Sequence, residues 1–255
     1  MTYADAPLTF ENEEFWTEFH DFLFPPERHQ HARQLLDSSP LFAFPPGTRI
    51  LDMCCGAGVF TAPLAARGHR VTGVDRSPAM LDMAAARCRE AEATARLVRA
   101  EAAHFDEPAA YDIALNLYTS FGYAEDPAEN AAALRAMRRA LVPGGSLLLD
   151  LAGKEILARR VRTSKVVRRG EALVVQTDTA LDDWSRMRSD WILVRGERAR
   201  RACLEWYVYS AVELRGLLEE AGFAKVEVFG GFDATPYDAH AERLVLRATA
   251  PPAGA

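Results

Sequence analysis

Lysine is scarce in this chain: of 30 basic residues only Lys154, Lys165 and Lys225 are lysines. Such Arg- and Ala-heavy composition points to a GC-rich bacterial genome and says nothing of function. Basic residues are also outnumbered by acids, for a net charge of −6, whereas a general nucleic-acid binder needs the opposite sign. No apolar run reaches the ~18 residues that cross a membrane. The first residues are acidic and aromatic rather than basic and then apolar, which excludes a secretory signal. Cys54, Cys55, Cys88 and Cys203 lack metal-ligand spacing, and the adjacent pair cannot close on itself. No metal is expected, and a reducing cytoplasm fits best. There is no repeat or long linker, and Ser120 has no partners at the spacing of a nucleophilic triad.

What is present begins with Ile50 to Gly58, Ile-Leu-Asp-Met-Cys-Cys-Gly-Ala-Gly. A short apolar run ends in an acid, small residues follow, and a helical pattern starts near Phe60. That order spells strand, tight turn, helix. A turn with little side chain lets backbone approach a ligand closely, and the helix after it presents free N–H groups and a positive dipole end. One unit later Arg70 to Val74 ends in Asp75, where an acid can bind ribose hydroxyls. A dinucleotide fingerprint needs Gly-x-Gly-x-x-Gly, but Thr61 stands at the third glycine. Asp52 is an acid the fingerprint lacks, and it can pair with a cationic amino group.

The remaining pattern alternates. Strands are expected at 49–53, 70–74, 96–99, 111–115 and 146–151, with helices at about 59–67, 78–93 and 127–141 between them. Ser77 is placed to cap a helix with Pro78 at its first position. Such alternation demands a parallel sheet with helices on both faces. After 152 the rhythm changes to antiparallel-looking strands at 166–167, 173–177, 187–193 and 202–209. A helix at 212–221, stopped by Gly222, and strands at 225–229 and 243–248 close the chain. Residues 1–48 are aromatic-rich and partly helical, broken by Pro25-Pro26. They read either as an amphipathic flap over a sheet edge or as a helical lid over a cleft.

The stretch Asp52-x-Cys54-x-Gly56-x-Gly58 resembles the first motif of class I S-adenosylmethionine (SAM)-dependent methyltransferases, with Cys54 at the first glycine position. Its backbone there is expected to keep φ below zero, as a residue with a side chain prefers. Further segments agree in order: Val74-Asp75-Arg76-Ser77-Pro78-Ala79-Met80-Leu81, Glu101-Ala102, Tyr111 to Leu117, Leu141-Val142-Pro143-Gly144-Gly145 and Ala221-Gly222-Phe223. The resemblance covers 49–248. It implies an α/β, doubly wound, seven-stranded mostly parallel sheet of order 3-2-1-4-5-7-6, with residues 152–209 as an antiparallel insertion after strand five. The implied domains are a lid over 1–48 and a SAM-binding domain over 49–255. The implied cofactor residues are Asp52, Cys54, Gly56, Gly58, Asp75 (ribose), Arg76 and Met80, Glu101 and Ala102 (adenine), Asn116 and Leu117. Asn116 to Tyr123 is similar to a loop of small-molecule bacterial methyltransferases.

Methyl transfer from a sulfonium needs alignment and water exclusion more than a triad. A base is required only if the acceptor must lose a proton. Candidates are His240, Tyr118, Glu205, Tyr207 and Tyr209, with His20 from the N-terminal segment; each has a packing or surface role as its alternative. Trp184, Trp191 and Trp206 either line an apolar pocket or form the insertion's own core. Arg159, Arg160, Arg162, Arg168, Arg169, Arg195, Arg198, Arg200 and Arg201 are either solvated strand edges or a face for an anionic acceptor. The expected partner is a small-molecule acceptor, with neither nucleic acid nor membrane; a homodimer is one open arrangement. The alternatives are a non-catalytic module binding SAM or S-adenosylhomocysteine and, less in keeping with the charge, an RNA methyltransferase.

Overall fold

The computed structural model describes residues 6–160 and 164–254. The central strand β1 (Arg49–Met53) is apolar and buried along nearly its whole length, the mark of a parallel strand covered on both faces. It pairs in parallel with β2 (Arg70–Asp75) on one side and β4 (Tyr111–Asn116) on the other. Beyond β2 lies β3 (Arg96–Arg99), and beyond β4 lies β5 (Leu141–Leu151). The antiparallel β11 (Leu244–Thr249) joins β5, and β10 (Lys225–Phe229) joins β11. The sheet thus runs β10-β11-β5-β4-β1-β2-β3, the order 3-2-1-4-5-7-6 expected from the sequence.

Strand β5 starts five residues earlier than expected. Leu141 already pairs with Tyr111, the register shifts before Ile113, and Gly144, at φ +75°, takes the bend. Three helices, α5 (Pro78–Glu90), α6 (Pro127–Ala140) and α8 (Ala211–Glu220), have capping chemistry visible in the sequence, whereas α4 (Thr61–Ala66) follows the β1 turn from Phe60 with no side-chain cap. Ser77 accepts from Met80 N with Pro78 at the helix start; Ser210 and Glu213 form a capping box. One face of the sheet buries Leu134, Met137, Leu214 and Leu218 against Leu147 and Leu149. The other buries Phe42, Phe60 and Leu64 against Ile50, Leu115 and Leu148.

After β5 comes α7 (Lys154–Arg160), then a second sheet of β6 (Lys165–Arg169), β7 (Ala172–Leu181), β8 (Arg186–Arg195) and β9 (Arg198–Tyr207), each antiparallel to the next. The N-terminal segment contributes α1 (Glu13–Glu18), α2 (His20–Leu23) and α3 (Pro26–Ser38). It does not lie on the central sheet alone. Phe15 and Phe19, both wholly buried, share a third core with Val174, Leu193, Ala202 and Leu204 of the second sheet. Trp191 and Trp206 pack against that core, so these indoles are structural. Leu8 adds a parallel bridge to Ala202, with Leu8 N–H donating to Arg201 O and Cys203 N–H to Leu8 O. Among the described residues no helix is long and apolar enough to cross a membrane.

Candidate active site

The turn after β1 alternates: Cys54, Gly56 and Gly58 all have positive φ, at +58°, +51° and +74°. The expectation of a negative φ at Cys54 is therefore corrected. The turn needs a left-handed residue there whichever side chain it carries, at about 1–2 kcal/mol for a residue with a Cβ. Neighbours hold it: Cys55 N–H donates to Val74 O at 2.9 Å and Gly58 N–H to Cys55 O at 3.0 Å. The two glycines have different reasons. A Cβ on Gly56 would face the Phe24 ring at 3.6 Å across the cleft, whereas one on Gly58 would press on Ala84 of α5 at 3.0 Å.

Asp52, 3% exposed, accepts from Thr61 Oγ1 at 2.5 Å. Burial pushes its carboxyl up to about 7; the Asp75 carboxylate adds to this and the Thr61 hydrogen bonds oppose it. Asp75, at the end of β2, accepts from Gly56 N at 2.8 Å and Ser77 N at 3.0 Å. Burial raises its pKa too, against those two backbone bonds. Asn116, 1% exposed at the end of β4, donates from Nδ2 to Met53 O at 3.1 Å, and its Oδ1 has no partner. Glu101 is exposed beyond β3, ahead of the turn containing Ala102, and Leu117 is buried. These groups converge on Cys54: burial, then Asp75, Asp52 and Glu101, drive its thiol pKa up, with Asn116 opposing. Four strand ends thus gather three carboxylates and an unsatisfied amide oxygen around one small side chain. Arg76 points away from this point, donating to Glu11 and to Phe10 O, and Met80 is buried in α5.

Beside this cluster, Tyr118 and Thr119 are left-handed at φ +57° and +61°. The wholly buried Asp150 holds them: its carboxylate accepts from Tyr118 N at 2.9 Å and its carbonyl from Thr119 N at 3.0 Å. Arg243 closes on the same carboxylate with two bonds of 2.6 Å. Tyr118 Oη lies 3.0 Å from His31 Nδ1, its ring is 4.8 Å from the Arg28 guanidinium, and burial pushes its phenol up to about 12. A cavity of about 790 Å³ opens here, against Arg28, His31, Tyr118, Phe232, His240 and Arg243. A second cavity, about 430 Å³, lies at the opposite ends of the strands beside Arg49, Arg96 and Tyr111. Arg49 is held there by Asp112 and Arg96 by Glu107.

Of the candidate bases, the larger cavity collects Tyr118 and His240. The others are elsewhere. Glu205 pairs with Arg186, Tyr207 donates to Glu125 O at 3.3 Å, and Tyr209 packs on Phe121 near Asn130. His20 lies beside Asp21 and Phe24. Several insertion arginines are committed to N-terminal acids: Arg169 to Glu27, Arg195 to Asp21 and Arg200 to Glu14. Arg159 donates to Ala239 O and Ala241 O, Arg160 pairs with Glu242, Arg168 and Arg198 are exposed, and Arg162 lies outside the described residues. Sequence reading missed Arg28, His31 and Arg243 as cavity groups. Asn130, Arg243 and Asp150 carry no local motif, and only the topology brings Arg243 to Asp150, 93 residues away.

Residues 50–145 match the family described as methyltransferase domain. The chain is 28% identical over 207 residues to the cypemycin N-terminal methyltransferase of a Streptomyces species, covering 78% of this chain and 82% of that one. It spans less than two thirds of the ubiquinone biosynthesis O-methyltransferases it also matches. In fold it resembles a SAM-dependent methyltransferase from Clostridium acetobutylicum, TM-score 0.75 at 15% identity over 93% of this chain and 98% of that one. It also resembles a SAM-bound amino pentose methyltransferase from Micromonospora echinaspora, TM-score 0.66 at 24% identity over 91% and 95%. The matched domain, the relative along most of the chain and the 3-2-1-4-5-7-6 sheet together support a class I, S-adenosylmethionine-dependent methyltransferase.

Proposed function

We propose that the methyl acceptor is a small molecule held in the cleft over the ends of β1, β4 and β5, between the N-terminal segment and the 230–243 loop. The convergence of Asp52, Asp75, Glu101 and Asn116 around Cys54 carries this reading. Open α/β sheets bind ligands in the crevice beyond the carboxyl ends of their strands, and this cluster sits there. Its parts suit an adenosine-bearing cation. We read Asp75, at the end of β2, as the ribose acid and Asp52 as negative charge near the methionine end, and Asn116 Oδ1 is a buried acceptor without a partner. Gly56 leaves room for close approach, with Phe24 above it.

The cofactor, when bound, supplies an activated methyl group and its own leaving group. The protein's share is then alignment and exclusion of water. Prepositioning of this kind is worth roughly 7–11 kcal/mol of barrier. Phe24 and the segment behind it screen the turn, and Phe10 stacks edge-on against Tyr123 at 4.1 Å between that segment and the cleft. Tyr118, held left-handed by Asp150, puts its side chain on the cavity wall. A phenol whose pKa is raised to about 12 orients an acceptor as a hydrogen-bond partner better than it removes a proton. The names of similar proteins are in keeping with a small-molecule acceptor: one is a cypemycin N-terminal methyltransferase and one an amino pentose methyltransferase.

Asp75→Ala tests the arrangement. Its affinity for S-adenosylhomocysteine, by calorimetry, should fall tenfold or more, which is about 1.4 kcal/mol, with loss of methyl transfer from labelled SAM into a metabolite extract. Wild-type affinity in a folded Asp75→Ala protein would remove the ribose assignment.

A further inference from the structure

Arg28 stands in the first turn of α3, half-buried at the cavity wall. Its guanidinium lies over the Tyr118 ring at 4.8 Å and within 5.9 Å of the Phe24 centroid. Among the described residues no carboxylate pairs with it. The buried acid within its influence, Asp150, is already engaged by Arg243 through both oxygens. The acids on the cavity rim are likewise committed: Asp233 to Thr235, Asp238 to His240 N and Glu242 to Arg160. The wall therefore carries two guanidiniums and one buried carboxylate, and Arg243 holds that carboxylate. Burial and the neighbouring Arg243 both hold the pKa of Arg28 down. A half-buried, unpaired arginine is costly by itself, and a planar guanidinium is the group best shaped to clamp an oxyacid.

We propose that Arg28, backed by Arg243, is the seat for an acid group, a carboxylate or phosphate, at the inner wall of the cleft. The proposal rests on the cleft being the methyl-transfer site. The guanidinium lies against both the Phe24 and the Tyr118 ring, and the Tyr118 hydroxyl, held between His31 Nδ1 and the Arg28 carbonyl, fixes that ring beside the seat. The acid belongs to the acceptor, so the cleft selects acidic metabolites over neutral ones of equal size; a seat taken up by the methionine carboxylate of the cofactor is the competing outcome of the test.

The test uses the full chain as wild type, Arg28→Met and Arg28→Lys, with circular dichroism as the check on folding. Calorimetry measures affinity for S-adenosylhomocysteine and for 5′-methylthioadenosine, which lacks the amino-acid part. Thermal shift then measures the response of the S-adenosylhomocysteine-saturated protein to phosphate and to benzoate. A loss of tenfold or more for S-adenosylhomocysteine in Arg28→Met, with 5′-methylthioadenosine unchanged and partial rescue in Arg28→Lys, gives Arg28 to the cofactor and overturns the acceptor seat. Unchanged nucleoside affinities with loss of the anion-dependent rise assign it to the acceptor. Wild-type behaviour of Arg28→Met in both arms overturns the seat. Should Arg28→Met not fold, the wild type alone decides: equal affinity for both nucleosides and no anion response refutes the seat, while a response to phosphate that Arg28→Lys retains supports it. A wild type that binds neither nucleoside refutes the cleft reading itself, which is a distinct result.

Discussion

Asp52→Asn should make the unliganded protein more stable above neutral pH while weakening its hold on the cofactor. Asp52 is 3% exposed, has no cationic partner, and sits near a second carboxylate, Asp75. Burial lifts its pKa from 3.8 to about 7. The folded-state value is above the unfolded one, so between about pH 4 and 7 the folded chain keeps a proton that the unfolded chain has lost. Stability therefore falls as pH rises through that window and stays low above it. Roughly three pH steps at about 1.4 kcal/mol each give an upper figure of about 4 kcal/mol. Even a third of that moves the thermal midpoint by about 2–4 °C in a chain of this size. Asparagine carries no charge to desolvate and can still accept from Thr61 Oγ1. Urea unfolding from pH 5 to 8 should show the wild type losing stability with rising pH and the variant staying nearly level. Binding adds a second signature. A cation beside Asp52 favours the carboxylate, so wild-type affinity for SAM should drop as pH falls below about 7, and the variant should bind more weakly with a flatter profile. Parallel stability profiles for the two proteins would refute the desolvation argument.

Two more outcomes follow from packing. Gly122→Ala should cost about 2–4 kcal/mol, because Gly122 is at φ +106° and a Cβ there would collide with the Tyr207 carbonyl oxygen; a wild-type urea midpoint would contradict the tight junction between the β4 loop and β9. Phe15→Ala should cost about 3–5 kcal/mol and loosen the N-terminal segment in hydrogen exchange, whereas Glu14→Gln, which loses only the exposed pair with Arg200, should change stability by no more than ~1 kcal/mol. Equal effects of the two would mean that charge rather than the shared aromatic core fastens the segment.

The strand-turn-helix grammar was readable because it is local. Asp52 and Asp75 each end an apolar run, and the register that sets β1 beside β2 follows from the parallel alternation. The sheet order, too, was available from the resemblance. Cys54 shows where local reading fails: its side chain argued for a negative φ, but the turn's alternating left-handed positions are dictated by the close approach of β1, β2 and α5. The insertion's arginines looked like a free cationic face because their partners, Glu14, Asp21 and Glu27, lie more than 140 residues away in the chain. Arg28 and Arg243 were silent for the same reason. A single charged residue has no periodicity, and what makes these two notable is that long-range packing brings both to one cavity wall, where Arg243 takes the buried acid.

The bridge between Leu8 and Ala202 also has a meaning for how the protein is made. Residues 6–24 leave the ribosome before any strand of the second sheet exists. At ~5–20 residues per second, the wait for position 202 is on the order of 10–40 s. During that interval Phe10, Phe15, Trp16, Phe19 and Phe22 have no β7–β9 surface to rest on, so this nascent stretch is a natural client for holding chaperones. Its docking is then a late step of biogenesis, and the cleft is roofed only after β1 to β5 beneath it have been synthesised.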